Sequence, residues 1–557
     1  MIRFLFTLLM ISLVPAISLA QVERIVNEKV RANFGPNGAT NITLTPSTID
    51  FFVEVQEGDI WVPLLSELGL LIAGVSSDGE TKLYGTRGAD LEVGFEGIEA
   101  EVQVPWRITR EQVRAHRADF EDNGVVDNPI PAIFAWPGRD NQFSTQYNGY
   151  PLSATINDIA PFWDANGDGK YDPQQGDYPI LGIRGCAVNP LVPTEMIFYP
   201  ILIRDGEEVI FQVYLTAFRY DCFAEGTTMN NTIFLNYQFI NSSALTFEDT
   251  YVGYFADGNL GCFTDDYLGV FPDQEAIYFY NAQEMDAGCV LFEHNVFREV
   301  PAAVGLDLLR GPLDPATSFE EIPLTHVMPV SGSFGASTPA ITEPVTVEEY
   351  YNYLSGRWRD GQELLDEGNG YDSGEPTDLA FTGNPVTNTG WTELGEGNLT
   401  SDRKAIFSTG PFTLEPGAIN EFTIGITYSK DPEFNYVEQV GLLRNRLDTI
   451  QQFFDNCFDQ GEAVSCPSIV TSNEDLEVPT KNQLQVYPNP THGQVSIDLP
   501  KQQNGTLRVF TANGQELLQK RTFSERLTLD VQDWPRGVYF LRWESKQEVL
   551  MNKLLVD

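Results

Sequence analysis

Between Pro161 and Tyr178 the chain reads PFWDANGDGKYDPQQGDY. Asp164, Asn166 and Asp168 set oxygen-bearing side chains at alternate positions, and Gly169 follows where a sharp turn is needed, the D-x-[DN]-x-D-G opening of a calcium loop. Side chains spaced in this way converge on one hard cation, and Lys170 would contribute only its backbone carbonyl. The twelfth position of the loop is Gln175 rather than Glu, so Asp172 and Asp177 are the candidates to complete the shell. Calcium held there is expected to be structural rather than catalytic. The same letters also spell a solvated Asp/Asn/Gly turn.

A second acidic group comprises Asp257, Asn259, Asp265 and Asp266 around Gly258, Gly261 and Cys262. It reads as another cation site, as a pair of carboxylates for glycoside hydrolysis, or as exposed loop acids, and the sequence supplies no separation that would name an acid and its partner. Trp358, Tyr350, Tyr351, Tyr353 and Trp391 lie in a Gly- and Asp-rich stretch. Such rings stack on sugar faces when they are exposed and fill a core when they are not. The chain has no G-x-S-x-G, H-E-x-x-H or phosphate-loop motif, and His116, His294, His326 and His492 are scattered. No catalytic residue is assigned.

These groups sit in a chain of 557 residues with 79 acidic and 34 basic side chains, a formal charge of −45. Such a charge repels nucleic acid and anionic lipid, while 42% hydrophobic content makes this a core-forming chain rather than an acidic tail. Met1 to Ala20 has Arg3, an apolar run from Phe4 to Val14, then Pro15 and Ser18-Leu19-Ala20, the layout of a secretory signal cleaved before Gln21. The run is too short to span a bilayer, and no transmembrane segment is expected after it is removed. Export permits disulfides among Cys186, Cys222, Cys262, Cys289, Cys457 and Cys466. Fifteen connectivities are open, and neighbour pairing (186–222, 262–289, 457–466) is the simplest, with buried free thiols as the alternative.

The elements that must position these residues are mainly strands. Val209–Tyr220, Thr232–Ile240, Thr250–Phe255 and Ala276–Tyr280 are rich in β-branched and aromatic residues, and Ala405–Thr427 reads as two strands about the turn Glu415-Pro416-Gly417. Helices are few. Thr109 with Gln112 and Thr346 with Glu349 are capping boxes, and from Phe434 to Phe454 an apolar stripe at three- and four-residue spacing predicts a helix. The fold class is therefore mainly β: a large multi-sheet region with a few helices over 21–466, a polar linker over 467–483, and a small immunoglobulin-like sandwich over 484–557.

That last block carries Tyr487-Pro488-Asn489-Pro490, the hairpin signal Ala512-Asn513-Gly514-Gln515, the run Trp534-Pro535-Arg536-Gly537-Val538-Tyr539, and a terminal Lys553-Leu554-Leu555-Val556-Asp557. With these motifs in this order, it closely resembles the type A C-terminal sorting domain of the type IX secretion system of Gram-negative bacteria, with Trp534-Pro535 where Leu-Pro is usual. The resemblance implies an address read by an outer-membrane translocon, removal by a sortase-like peptidase, and attachment to surface lipopolysaccharide or release. The destination it implies is the outer cell surface or the medium, reached through the periplasm. VPWRITREQVRAH, PFWDANGDGKYDPQQGDYP and STGPFTLEPG in the large region are similar to a set of long exported proteins with the same tail. That likeness implies architecture and destination, not activity. Together these readings point to a calcium-stabilised cargo for adhesion or binding of extracellular glycans. A secreted polysaccharide hydrolase or lyase using acidic residues is the alternative.

Overall fold

Two large sheets dominate the N-terminal part of the chain, and a separate two-stranded sheet carries the calcium-type loop. The structure, a computed structural model, describes residues from 23 to 458 apart from 28–29, 35–48, 55–60, 87–97, 103–104, 150, 153–159, 187–189, 222–227, 287–288, 290–295, 298, 318–319, 332–337 and 401. It also describes 484 to 556 apart from 488–490, 492, 500–504, 512–515, 523–525, 533, 535–536 and 546–548. The signal-like segment, the polar linker, Cys222, Cys466, His294 and His492 lie outside the described residues. The chain divides into two compact units, Met1–Thr471 and Ser472–Asp557.

In the first unit one sheet runs Glu23–Asn27, Val30–Phe34, Ile49–Glu54, Trp61–Ser76, Phe247–Gly258, Arg403–Leu414 and His326–Ser331, with Thr81–Gly85 also paired to Trp61–Ser76. The other runs Asp266–Phe271, Ala276–Asn281, Ala303–Arg310, Ile419–Ser429, Thr232–Asn241, Glu208–Arg219, Glu195–Asp205 and Ile98–Val102, and Trp106–Thr109 pairs with Glu195–Asp205. The expected strands are present, and the expected turn at Glu415-Pro416-Gly417 joins Arg403–Leu414 to Ile419–Ser429. Ile72, Val252 and Ile406 of the first sheet share one core with Phe211, Leu235 and Ile424 of the second, so the two are packed face to face. Burial of apolar side chains from both inner faces supplies most of the driving force.

The outer face of the second sheet is also covered. The helix Glu438–Asp455 lays Val440, Leu443, Leu447, Ile450 and Phe454 inward, the stripe that the spacing predicts. Leu443 and Leu447 crowd Gly305, where an added Cβ would approach both leucines to 3.3 Å. The helices Arg110–Asn123 and Val347–Leu354 begin at the expected capping boxes: the Thr109 N–H donates to Gln112 Oε1 (2.9 Å) and the Thr346 N–H to Glu349 Oε2 (3.3 Å).

Cystine pairing differs from neighbour pairing at one end of this unit. Cys262–Cys289 forms, but Cys186 pairs with Cys457, 271 residues away. This corrects both the 186–222 and the 457–466 expectation. The physical reason is that the segment before Glu195–Asp205 and the end of the helix Glu438–Asp455 meet over one cluster, where Cys186, Phe454 and Phe458 pack together.

The second unit is a two-sheet sandwich. Gln485–Tyr487, Gln494–Asp498 and Arg526–Asp530 form one sheet, and Glu516–Thr522, Gly505–Thr511, Gly537–Ser545 and Val549–Val556 form the other. Val495 and Ile497 from the first meet Leu507, Val509, Leu541 and Trp543 from the second.

Candidate functional site

The calcium-type loop joins two short strands, Phe162–Trp163 and Tyr178–Pro179, in which Trp163 lies opposite Tyr178. Chain direction reverses within the loop through Gly167 and Gly169, both at φ above +70°. At such angles a side chain is strained, so glycine is required there. Asp164 Oδ1 accepts from the Gly167 N–H (2.7 Å) and Oδ2 from the Gly169 N–H (2.7 Å). Asp168 Oδ1 accepts from the Lys170 N–H (2.8 Å), and Asn166 Nδ2 donates to Asp168 Oδ2 (3.1 Å). The Lys170 ammonium turns away to Asp140, 3.4 Å off. Asp177 closes the base: fully buried, it accepts from the Ala165 and Asp172 N–H groups at 2.8 Å each. Burial pushes its carboxyl up to about 6, and the charges of Asp164 and Asp168 add to that push. Asp172 caps the following turn by accepting from Gln174 N–H (3.0 Å). The loop is anchored by Tyr171, which is buried and donates to Ile133 O (2.7 Å), and by His116, whose Nε2 meets Asp177 O at 2.9 Å. The fold thus gathers Asp164, Asn166 and Asp168 in one turn over Asp177. Among the described residues no three His, Cys, Asp or Glu side chains are arranged to hold a metal ion.

The second acidic group is dispersed and buried, so the exposed-loop reading fails. Asp257 ends the strand Phe247–Gly258 opposite Lys404, whose Nζ lies 3.3 Å from Asp257 Oδ2 and from Glu343 Oε2, and 3.4 Å from Asp402 Oδ2. Three carboxylates around one ammonium leave excess negative charge. Burial raises the Asp257 carboxyl, against the pull of Lys404 and with help from Asp402 and Glu67. Asn259 turns elsewhere and donates to Ser66 Oγ (2.8 Å). Asp266 accepts from the Leu260 N–H (3.1 Å), and Asp265, 3% exposed, finds no hydrogen-bond partner for either oxygen among the described residues.

All of the aromatic stretch but Tyr351 is core; Tyr351 is half-buried beside Tyr251, with its hydroxyl donating to Asp249 O (3.2 Å). Tyr350, Tyr353 and Trp358 are completely buried, with Trp358 Nε1 donating to Gly370 O (2.9 Å), and Trp391 is buried against Phe381. None of these buried rings presents a face to solvent. A shallow cavity of about 520 Å³ lies nearby, lined by Thr325, His326, Thr377, Asp378, Leu379 and Thr382. His326 Nε2 stands 3.9 Å from Asp378 Oδ1, and burial lowers the His326 pKa while Asp378 opposes the shift. Scattered spacing conceals this pair, since 52 residues separate positions that the sheet edge brings together. Trp163, at the start of the calcium-type loop, lies outside the D-x-[DN]-x-D-G motif that opens at Asp164. Its signal is positional: in a two-residue strand, Phe162 faces Tyr171 and Trp163 must face away.

In the second unit Tyr539 is buried with its ring 4.9 Å from that of Trp534, and Gly537 and Val538 pair with Val556 and Leu555. Lys553 sits opposite Phe540 in the same sheet, and Tyr487 opposite Ser496 in the other. Pro488, Asn489, Pro490 and Gly514 lie outside the described residues.

Residues 485–557 match the family model of the secretion system C-terminal sorting domain. This is the type IX secretion tail that the motifs indicate, and it marks proteins exported to the cell surface or the extracellular space. No curated protein matches the chain. Among solved structures, a polysaccharide lyase aligns at 8% identity over 71% of this chain, with a TM-score of 0.19, and the chain spans 38% of that lyase's length. PorZ, described as an essential surface component of the type IX secretion system of Porphyromonas gingivalis, aligns at 10% identity over 96% of this chain and 74% of its own, with a TM-score of 0.12. Both TM-scores are too low to carry an argument. No helix among the described residues is long and apolar enough to cross a membrane.

Proposed function

We propose that the first unit is a glycan-binding or adhesion module, stabilised by calcium in the loop from Asp164 to Asp177, and that its sorting tail delivers it to the translocon for display or release. The observation that supports calcium is the crowding of Asp164 and Asp168 over a buried Asp177 in a glycine-turned loop, where a divalent cation would relieve mutual repulsion. Asp164, Asn166, Asp168 and Asp172 would supply side-chain oxygens, and Lys170 its carbonyl. In this reading the tail engages a sortase-like peptidase and the cargo is joined to lipopolysaccharide or shed. Met1 to Ala20 serves as the export signal.

The test uses the full protein on a panel of polysaccharides in calcium, scoring retention together with new reducing ends or unsaturated products. Retention without cleavage is expected. Calcium should raise the melting temperature relative to EDTA, and Asp168→Ala should abolish the difference; identical melts with a silent Asp168→Ala remove the calcium site. The second reading, a polysaccharide hydrolase or lyase, is favoured by one feature, the carboxylates of Asp257, Asp402 and Glu343 gathered on Lys404. Cleavage lost in Asp257→Asn would establish that reading in place of the first.

A further inference from the structure

Trp106, Trp136, Trp358, Trp391 and Trp543 are buried, whereas Trp163 keeps 40% of its surface in solvent. A lone exposed apolar residue is ordinary on a protein surface. Trp163 differs in how it is held. Its indole stacks on Tyr178, with centroids 6.3 Å apart and planes 23° from parallel, and Tyr178 is itself buried, with the Arg117 guanidinium 5.6 Å from its centroid. Strand pairing fixes the backbone of both residues opposite one another. On the other side of the strand, Phe162 packs edge-on against buried Tyr171 at 5.2 Å. The indole is therefore a pre-ordered ring, and holding it costs a ligand little conformational entropy.

Hydrogen-bonding oxygen follows that ring in the chain. Asn166 and Asp168 are exposed a few residues along the same loop, and Asp164 and Asp172 are half-buried. A sugar ring has a face of weakly positive C–H bonds and an edge of hydroxyl donors. The first complements the negative face of an indole, and the second complements carboxylate and amide oxygens. The loop carboxylates, in a chain of charge −45, repel a polyanion, so the ligand chemistry is that of an uncharged sugar. From this we infer that Trp163, held on Tyr178 at the base of the loop, is the stacking platform for a neutral glycan whose hydroxyls bond to the loop oxygens. The inference deepens the glycan-binding reading and rests on it.

The experiment measures affinity of the secreted full-length protein for neutral laminarin, galactomannan and xylan and for anionic alginate, in calcium, by retention and by tryptophan fluorescence. Trp163→Ala should lose at least tenfold in affinity for the neutral polymer that the parent binds, Trp163→Tyr should recover most of it, and His326→Ala in the separate cavity should change nothing. Matched melting temperatures establish that Trp163→Ala is folded. Unchanged binding by Trp163→Ala, or loss in His326→Ala instead, overturns the platform while glycan binding stands. Binding to alginate alone overturns the neutral class. No retention of the parent on any polymer refutes the glycan-binding reading, and the platform falls with it.

Discussion

Glu393 and Arg403 form a buried ion pair whose removal tests how the two sheets are tied at one end. Glu393 has no exposure, its Oε1 lies 2.6 Å from Arg403 Nη2, and its Oε2 accepts from the Leu268 N–H at 2.7 Å. Arg403 also donates to Ser331 Oγ (2.9 Å) and Leu399 O (3.4 Å). Glu393→Ala strands a guanidinium in the interior and leaves one amide unpaired. Breaking a buried pair costs about 3–5 kcal/mol, and orphaning the amide adds about 1–3 kcal/mol. Because the two losses share one side chain, roughly 4–6 kcal/mol in all is expected. Unfolding entropy of about 2.1 cal/mol/K per residue over roughly 440 residues gives about 0.9 kcal/mol/K, so the melting temperature should fall by about 4–7 °C. Glu393→Gln keeps an acceptor for Leu268 and should cost less. The double replacement of Glu393 and Arg403 by leucine removes both charges together and should return to within about 2 kcal/mol of the parent. Calorimetry and urea unfolding of the full chain give the comparison. A shift below about 1 °C for Glu393→Ala, or a double variant worse than Glu393→Ala, would refute the desolvation argument.

Other expectations concern covalent, titrating and packing features. Replacing Cys186 and Cys457 together by serine opens a loop of 271 residues, and by the chain-entropy argument should cost up to about 5 kcal/mol; an unchanged urea midpoint without reductant would contradict it. Burial raises Asp265 to about 7 and Asp266 and Asp307 well above the carboxylate range, so the folded state binds protons that the unfolded chain releases. The stabilisation from Asp265 is full below about pH 4 and is lost as pH rises through about 7, and Asp265→Asn should flatten the fall in urea midpoint between pH 5 and pH 8. An equal slope in both proteins would show that Asp265 titrates normally. In the sorting unit a Cβ at Gly505 would meet Trp543 at 2.3 Å, so Gly505→Val should displace the buried indole and reduce surface display, read by whole-cell labelling. Deletion of 484–557 should abolish display, and continued display would sink the sorting role.

Much of the architecture was legible in the sequence because local and global signals agree there. Thr109 and Thr346 cap helices as their spacing requires, and the stripe from Val440 to Phe454 faces the sheet. The strand Trp61–Ser76 was not legible, since both its faces are covered and WVPLLSELGLLIAGVS lacks alternation. The Cys186–Cys457 pairing was hidden for a different reason: contacts over such separations are set by sheet order, which spacing does not encode. At the candidate site, the loop was visible as a motif, because its oxygens and glycines are local. Which aromatic is exposed was not visible. Trp358 and Trp163 are the same residue in similarly Gly- and Asp-rich surroundings, and only tertiary packing buries one and leaves the other in water. The same holds for Asp265 and Asp266, acids that composition assigns to the surface and the fold encloses.

Outside the cell a protein meets peptidases with no machinery to remake it. The Cys186–Cys457 bond encloses the strands from Glu195–Asp205 to Ile419–Ser429 and the helix Glu438–Asp455. A single cut in any exposed loop within that span yields two chains that remain one molecule. Clipped material should therefore run at full mass on a gel without reductant, separate only when a thiol is added, and keep its fold wherever the cut spares the sheets. The bond thus lets the cargo persist after damage as well as resist it.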